Sequence, residues 1–165
     1  MENIDKYMDF LIEAYNNPLK IDWNIGPPLT GSFKVLDLDY KIYSEVIING
    51  FMTYKFKYKK DQVYSDEILN KTEYKISVIP TIKSGIDFIL NDISPNGVIF
   101  AAMDESKGRK NIYDRYCESI DNTIWNVYSK EYDNKKIWVI HKKEITGETI
   151  FETIKYCTEN FIDFL

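Results

Sequence analysis

The residue types best suited to chemistry are concentrated in one short stretch, Glu105-Ser106-Lys107-Gly108-Arg109, with Tyr113 and Arg115 close behind it. The stretch leaves an apolar run that reads as a strand and enters a helical pattern, the junction at which ligands gather in α/β arrangements. Ser106 is placed to cap the helix and Arg109 to fork onto a carboxylate or phosphate, and the helix dipole favours an anion at that end. A purely structural use competes with this: Ser106 only caps, and Arg109 pairs with Glu105 or Asp104. Tyr113 is a further candidate, set against a buried ring or a hydroxyl bonded to backbone. Arg115 is a candidate for ligand or partner binding, set against a salt bridge to Glu118 or to a neighbouring strand. Asp114, its neighbour, points elsewhere on a helix.

Lys55, Lys57, Lys59 and Lys60, with Lys34 and Lys41 nearby, could line a nucleic-acid backbone. Tyr54, Phe56 and Tyr58 alternate with them onto the opposite face, so they cannot supply a base-stacking platform between the lysines. A solvated strand face that discourages edge pairing is the expectation. His141 is the single histidine and reads as structural. Cys117 and Cys157 are isolated on apolar helix faces, as buried small hydrophobes are, and offer neither a zinc cluster nor a disulfide framework. Asp37 and Asp39 share a strand face without a third ligand, so no metal is expected.

The chain has 165 residues, 44% hydrophobic and 28% charged, which suits one domain spanning 1–165 with a core of its own. Its net charge of −5 argues against nucleic acid as a general partner, because phosphate neutralisation needs a concentrated positive face. Lysine outnumbers arginine nineteen to two, the bias that an AT-rich genome produces. No apolar run approaches the ~18 residues of a membrane span, and the start Met1-Glu2-Asn3-Ile4-Asp5 is acidic, unlike a signal peptide. A cytoplasmic setting, with no membrane partner, is therefore expected.

The elements that must position these residues follow from periodicity. Ile4, Met8, Leu11, Ile12 and Tyr15 predict a helix that stops at Asn16-Asn17-Pro18, and 18–31 reads as loop. Strands are predicted over 33–38, 40–48 and 51–59, with Asn49-Gly50 as a hairpin turn because both residues tolerate positive φ. A loop over 60–72, a strand over 74–79 and a helix opened by Pro80-Thr81 come next, with Ile82, Ile86, Ile89, Leu90 and Ile93 on one face. After the turn Pro95-Asn96-Gly97, the run 98–103 is a central strand covered on both sides. A helix with Ile112, Tyr116 and Ile120 inward leads to a hairpin, 124–129 with 136–141, around Asp133-Asn134. The last helix starts at Thr149, boxed by Glu152, with Ile150, Ile154, Cys157, Phe161 and Leu165 as its stripe. Its apolar end predicts docking within the chain or, as a homodimer through a terminal helix, against a second copy.

The order strand, helix, apolar strand, helix, two strands over about 73–142 resembles the second half of the GNAT superfamily of N-acetyltransferases. Asn111-Ile112-Tyr113 sits where that superfamily often carries an Asn followed by a Tyr. The segments Phe100-Ala101-Ala102, Glu105-Ser106-Lys107-Gly108-Arg109 and Tyr113-Asp114-Arg115 are similar to small uncharacterised phage-type proteins of GNAT-like appearance. The resemblance implies an α+β fold: a GNAT-like mixed, mostly antiparallel sheet with helices on both faces and helices at both termini. It would make Tyr113 the general acid and acetyl-CoA the cofactor. The superfamily's pyrophosphate loop, Arg/Gln-x-x-Gly-x-Gly/Ala, has as its counterpart Ile79-Pro80-Thr81-Ile82-Lys83-Ser84-Gly85, with one Gly, no Arg and a Pro that removes a donor. The expectation is thus a phage-type accessory protein without enzymatic activity, bound to a host protein in the host cytoplasm, for instance to oppose a defence system. The alternatives are an N-acetyltransferase with a degenerate acetyl-CoA loop and a nucleotide or nucleic-acid binder.

Overall fold

The structure, a computed structural model, describes residues 18–35, 38–60, 63–65 and 72–160. The helix expected over 4–15, the end 161–165 and Asp37 lie outside them. The chain forms β1 (Asp22–Asn24), β2 (Leu29–Val35), β3 (Leu38–Ser44), β4 (Phe51–Thr53), β5 (Lys55–Lys60) and β6 (Val63–Ser65). Then come α1 (Thr72–Phe88, continued by a π turn at Ile89–Ile93), β7 (Gly97–Met103), α2 (Lys107–Glu118), β8 (Trp125–Tyr132), β9 (Lys135–Lys142) and α3 (Gly147–Glu159). The fold is α+β, with a five-stranded sheet ordered β1-β2-β3-β5-β6 and a four-stranded sheet ordered β4-β7-β9-β8.

The two sheets share one stretch of chain. Asn49 and Gly50 adopt φ of 60° and 73°, and the hairpin they turn keeps one register from Val46 opposite Met52 to Asp39 opposite Lys59. Past the turn, β4 pairs parallel with β7, and the Tyr54 N–H donates to the Ile99 carbonyl at 3.0 Å. Beyond Tyr54 the strand parts from β7 and continues as β5 beside β3. Every other described strand pair is antiparallel, so the four-stranded sheet is mixed and the five-stranded sheet is antiparallel throughout.

Packing follows the apolar alternation. In β7, Val98, Phe100 and Ala102 join the larger core with α1 and α2, while Ile99 and Ala101 join a smaller one with α3. Helices therefore cover both faces of the four-stranded sheet. Each buried Ile or Phe contributes about 1.5–3 kcal/mol of transfer free energy, which makes these two layers the main stabilising term.

Three expectations are corrected. The segment 18–31 contains β1 and the start of β2; Asp22-Trp23-Asn24 has too few apolar residues to announce itself, and its pairing with Thr30–Ser32 makes it a strand. The segment 74–79 is helix, and Pro80 lies inside α1, so Ile79–Gly85 is no loop. Spacing decides it: Val78, Ile82, Ile86 and Ile89 recur along one face and are all buried, which outweighs local β-propensity and the cost of a proline. The cap of α3 is Thr146, whose Oγ1 accepts from the Thr149 N–H at 3.3 Å.

Candidate functional site

Two of the five candidates around α2 are built into the core. Arg109 is 2% exposed and Tyr113 is 0% exposed. An Arg109 Nη2 donates to the Phe56 carbonyl at 2.9 Å, and the guanidinium lies 4.2 Å from the Phe56 ring centre. In β5, the alternate residues Phe56 and Tyr58 turn their peptide groups away from β3, toward the gap where β5 and β7 part. Arg109 meets the Phe56 carbonyl in that gap, and β6 pairs with Tyr58 and Lys60 beside it. Tyr113 stacks among Phe56, Phe100 and Trp138, with ring centres 4.5 to 6.2 Å away.

The other three candidates are on the outside of the same junction. Glu105 is exposed and Ser106 half-buried at the N-cap of α2, without a side-chain cap bond; Arg115 is exposed near the helix end. Asp104 is reached by Lys110 at 3.0 Å. Asp114 accepts from Lys136 Nζ at 2.8 Å and from Trp138 Nε1 at 3.0 Å, which ties α2 to β9. The structure therefore separates Arg109 and Tyr113, inside, from Glu105, Ser106 and Arg115, outside.

A cleft that no motif announces opens between α1, the end of α2 and the start of β8. It encloses about 420 Å³ over a floor of Leu90, Tyr116 and Trp125. At its edge the Tyr116 hydroxyl donates to Asp87 Oδ1 at 2.5 Å. Burial first, and that hydrogen bond second, raise the Tyr116 pKa far above the usual phenol range. A hydroxyl so held is a fixed donor, not a nucleophile. Asp87 and Tyr116 come from separate helices 29 residues apart, so only packing brings them together. An apolar groove of about 490 Å³ lies elsewhere, along Ile25, Pro27, Pro28, Val46, Met52 and Ile93.

A further polar feature is the outer face of the five-stranded sheet. Lys34, Lys41, Lys55, Lys57 and Lys59 project there, with Lys41 directly opposite Lys57 and Asp39 between Lys34 and Lys59. All of these residues are exposed or half-buried, whereas Tyr54, Phe56 and Tyr58 are buried on the inner face. Tyr43 is the aromatic residue that β3 turns outward, with Lys55 Nζ 5.7 Å from its ring centre.

His141 is buried, its Nδ1 2.9 Å from the Lys142 carbonyl, which is a structural placement. Burial raises the Cys117 thiol to about 12 and the Cys157 thiol to about 11. Among the described residues no group of His, Cys, Asp and Glu is arranged to hold a metal, and no helix is long and apolar enough to cross a membrane. Comparison with known protein families, curated proteins and solved structures finds no match to this chain.

Proposed function

We propose that this chain is a GNAT-like scaffold that works by binding a protein, as a phage-type accessory protein would bind a host factor, and not by acyl transfer. Support for the scaffold comes from the parallel β4–β7 pair joined through α1, followed by α2 and the β8–β9 hairpin with β9 inserted next to β7. Against coenzyme binding in that superfamily's manner, the stretch ahead of α1 reads Asp66-Glu67-Ile68-Leu69-Asn70-Lys71-Thr72, acidic and without glycine. A pyrophosphate needs bare N–H groups and positive charge at that helix start. Tyr113 and Arg109, the candidate acid and anion binder, are enclosed in the core.

The observation that carries the reading is the lysine face. Five lysines share one sheet face on a chain of net charge −5, and Lys41 stands directly across from Lys57. Such a face is complementary to an acidic protein surface. Duplex DNA fits less well, because the acidic remainder of the chain repels a polyanion, and a single strand would find the aromatic residues of β5 turned inward.

The test pairs capture from host lysate with a calorimetric titration of acetyl-CoA, using the chain and its Lys41→Glu/Lys57→Glu variant. The expected result is a captured protein that the variant loses and that salt weakens, with no acetyl-CoA heat. Saturable micromolar acetyl-CoA binding would restore the N-acetyltransferase alternative. Salt-steep retention of duplex DNA by the chain and not by the variant would restore the nucleic-acid one.

A further inference from the structure

Strand β8 lies at the end of the four-stranded sheet and, among the described residues, pairs on one side only, with β9. It is eight residues long, and from Asn126 to Glu131 every side chain is exposed, on both faces of the sheet. Val127 and Tyr128, at 36% and 39% exposure, are among the large hydrophobic residues left in solvent. A strand bare on both faces gains little from its own domain, and its outer edge is a template for another strand.

The register against β9 identifies the free groups. The two-residue turn Asp133-Asn134 makes Tyr132 and Lys135 a hydrogen-bonded pair, so Lys130, Tyr128 and Asn126 also point their peptide groups at β9. The β7 side agrees, because the Lys142 N–H turns that way to the Asn96 carbonyl at 2.9 Å. The N–H and C=O groups of Val127, Ser129 and Glu131 therefore point outward, and among the described residues nothing bonds them. Trp125 is different: its N–H is taken by the Asp121 carbonyl at 3.1 Å.

We propose that β8 is the seam of a two-fold homodimer, in which it pairs antiparallel with β8 of a second copy and Ser129 lies on the axis. A two-fold axis normal to the sheet opposes residues of like parity, and outward-pointing residues must meet outward-pointing residues. With Ser129 on the axis, Val127 faces Glu131 of the partner, and all three residues bond their N–H and C=O groups. Tyr128 then faces the partner's Lys130, a favourable ring–ammonium pair on the α3 side. Shifting the seam one step one way opposes Lys130 to its own copy; one step the other way asks for the Trp125 N–H already used. Like charges opposed across strands repel, so the Ser129 register is selected. The lysine face takes no part, so the dimer and the host-partner reading can fail separately.

A short seam makes a weak dimer, so sedimentation is followed from micromolar to near-millimolar concentration, with disulfide trapping alongside. Hydrogen-bonded cross-strand Cα atoms lie roughly 5.5 Å apart, within the span of a disulfide. Ser129→Cys is expected to cross-link to itself on mild oxidation. Glu131→Cys is expected not to, since its own copy would be about 13 Å away along the strand. Cys157 is buried and Cys117 half-buried, and the chain without an added cysteine is the control for cross-links through them. Ser129→Pro removes a donor that the β8–β9 ladder does not use, so it is expected to stay folded and become monomeric. A chain that sediments as a monomer throughout, or a Glu131→Cys variant that cross-links as readily as Ser129→Cys, would overturn the proposal.

Discussion

Arg109 on α2 holds Phe56 on β5 twice, by a 2.9 Å hydrogen bond to its carbonyl and by a guanidinium 4.2 Å from the centre of its ring. The contact falls just past Tyr54, where the chain leaves the four-stranded sheet for the five-stranded one. A carbonyl exposed by two parting strands costs free energy unless a donor reaches it. The residue that looks most like an anion binder in the sequence is, in the structure, the donor that closes the junction between the sheets.

Arg109→Met is therefore expected to lower stability by about 2–3 kcal/mol, the cost of leaving a buried carbonyl unmet while keeping most of the packing volume. Urea denaturation measures this. Partner capture by the remaining folded protein should be unchanged, because Arg109 is no part of the lysine face.

Tyr113 gives a second contrast. Its ring is the shared neighbour of Phe56, Phe100 and Trp138, so Tyr113→Ala is expected to cost about 3–5 kcal/mol. Tyr113→Phe keeps the ring and should cost no more than about 1.5 kcal/mol. A larger loss for the phenylalanine variant would mean that the hydroxyl, not the ring, holds this corner.

Two glycines separate close approach from mere flexibility. A Cβ on Gly97 would lie 2.8 Å from the Ile140 carbonyl oxygen and closer still to the Phe51 ring, so Gly97→Ala is expected to destabilise by about 3 kcal/mol. At Gly147, the first residue of α3, a Cβ meets nothing within 4 Å. Gly147→Ala is expected to raise stability by about 0.4–1 kcal/mol through the unfolded chain. Thermal melts of the two variants should move in opposite directions.

The thiols set a pH dependence. Burial holds Cys117 at about 12 and Cys157 at about 11, above the ordinary value of 9.0. The folded state keeps these protons when the unfolded state has lost them, so their contribution is whole below pH 9 and declines as pH rises toward 11–12. Tyr54 and Tyr116, raised mainly by burial, act with the same sign at higher pH. Stability measured by denaturant at pH 7, 9 and 10.5 should fall across the upper interval, and less so for Cys117→Ala/Cys157→Ala; a rise there would contradict the burial of these thiols.

Much of the architecture was legible from pattern. The continuous apolar run Val98–Met103, the Asn49-Gly50 turn and the Asp133-Asn134 hairpin are local signals, and the structure follows each of them. The strand expected over 74–79 was misread because Tyr74-Lys75-Ile76-Ser77-Val78-Ile79 has β-branched residues in alternation and a proline follows. The longer spacing that joins Val78 to Ile82, Ile86 and Ile89 carries the helix through this stretch, and the Tyr54 hydroxyl, donating to the Ile82 carbonyl at 2.9 Å, ties that face to the strand beneath it.

What the sequence determined by itself is the set of faces: which residues turn inward together, where the chain must reverse, and that Lys55, Lys57 and Lys59 share a side opposite Tyr54, Phe56 and Tyr58. Those follow from the periods of helix and strand, which are properties of neighbouring residues. The tertiary structure alone decided that the stretch 51–60 divides between two sheets and that Arg109 is enclosed. It also decided that Asp87 meets Tyr116 and that β8 ends as an exposed edge. Each of these is a meeting, or a missed meeting, between segments far apart in sequence, and no local period encodes which strand finds a neighbour on its second side.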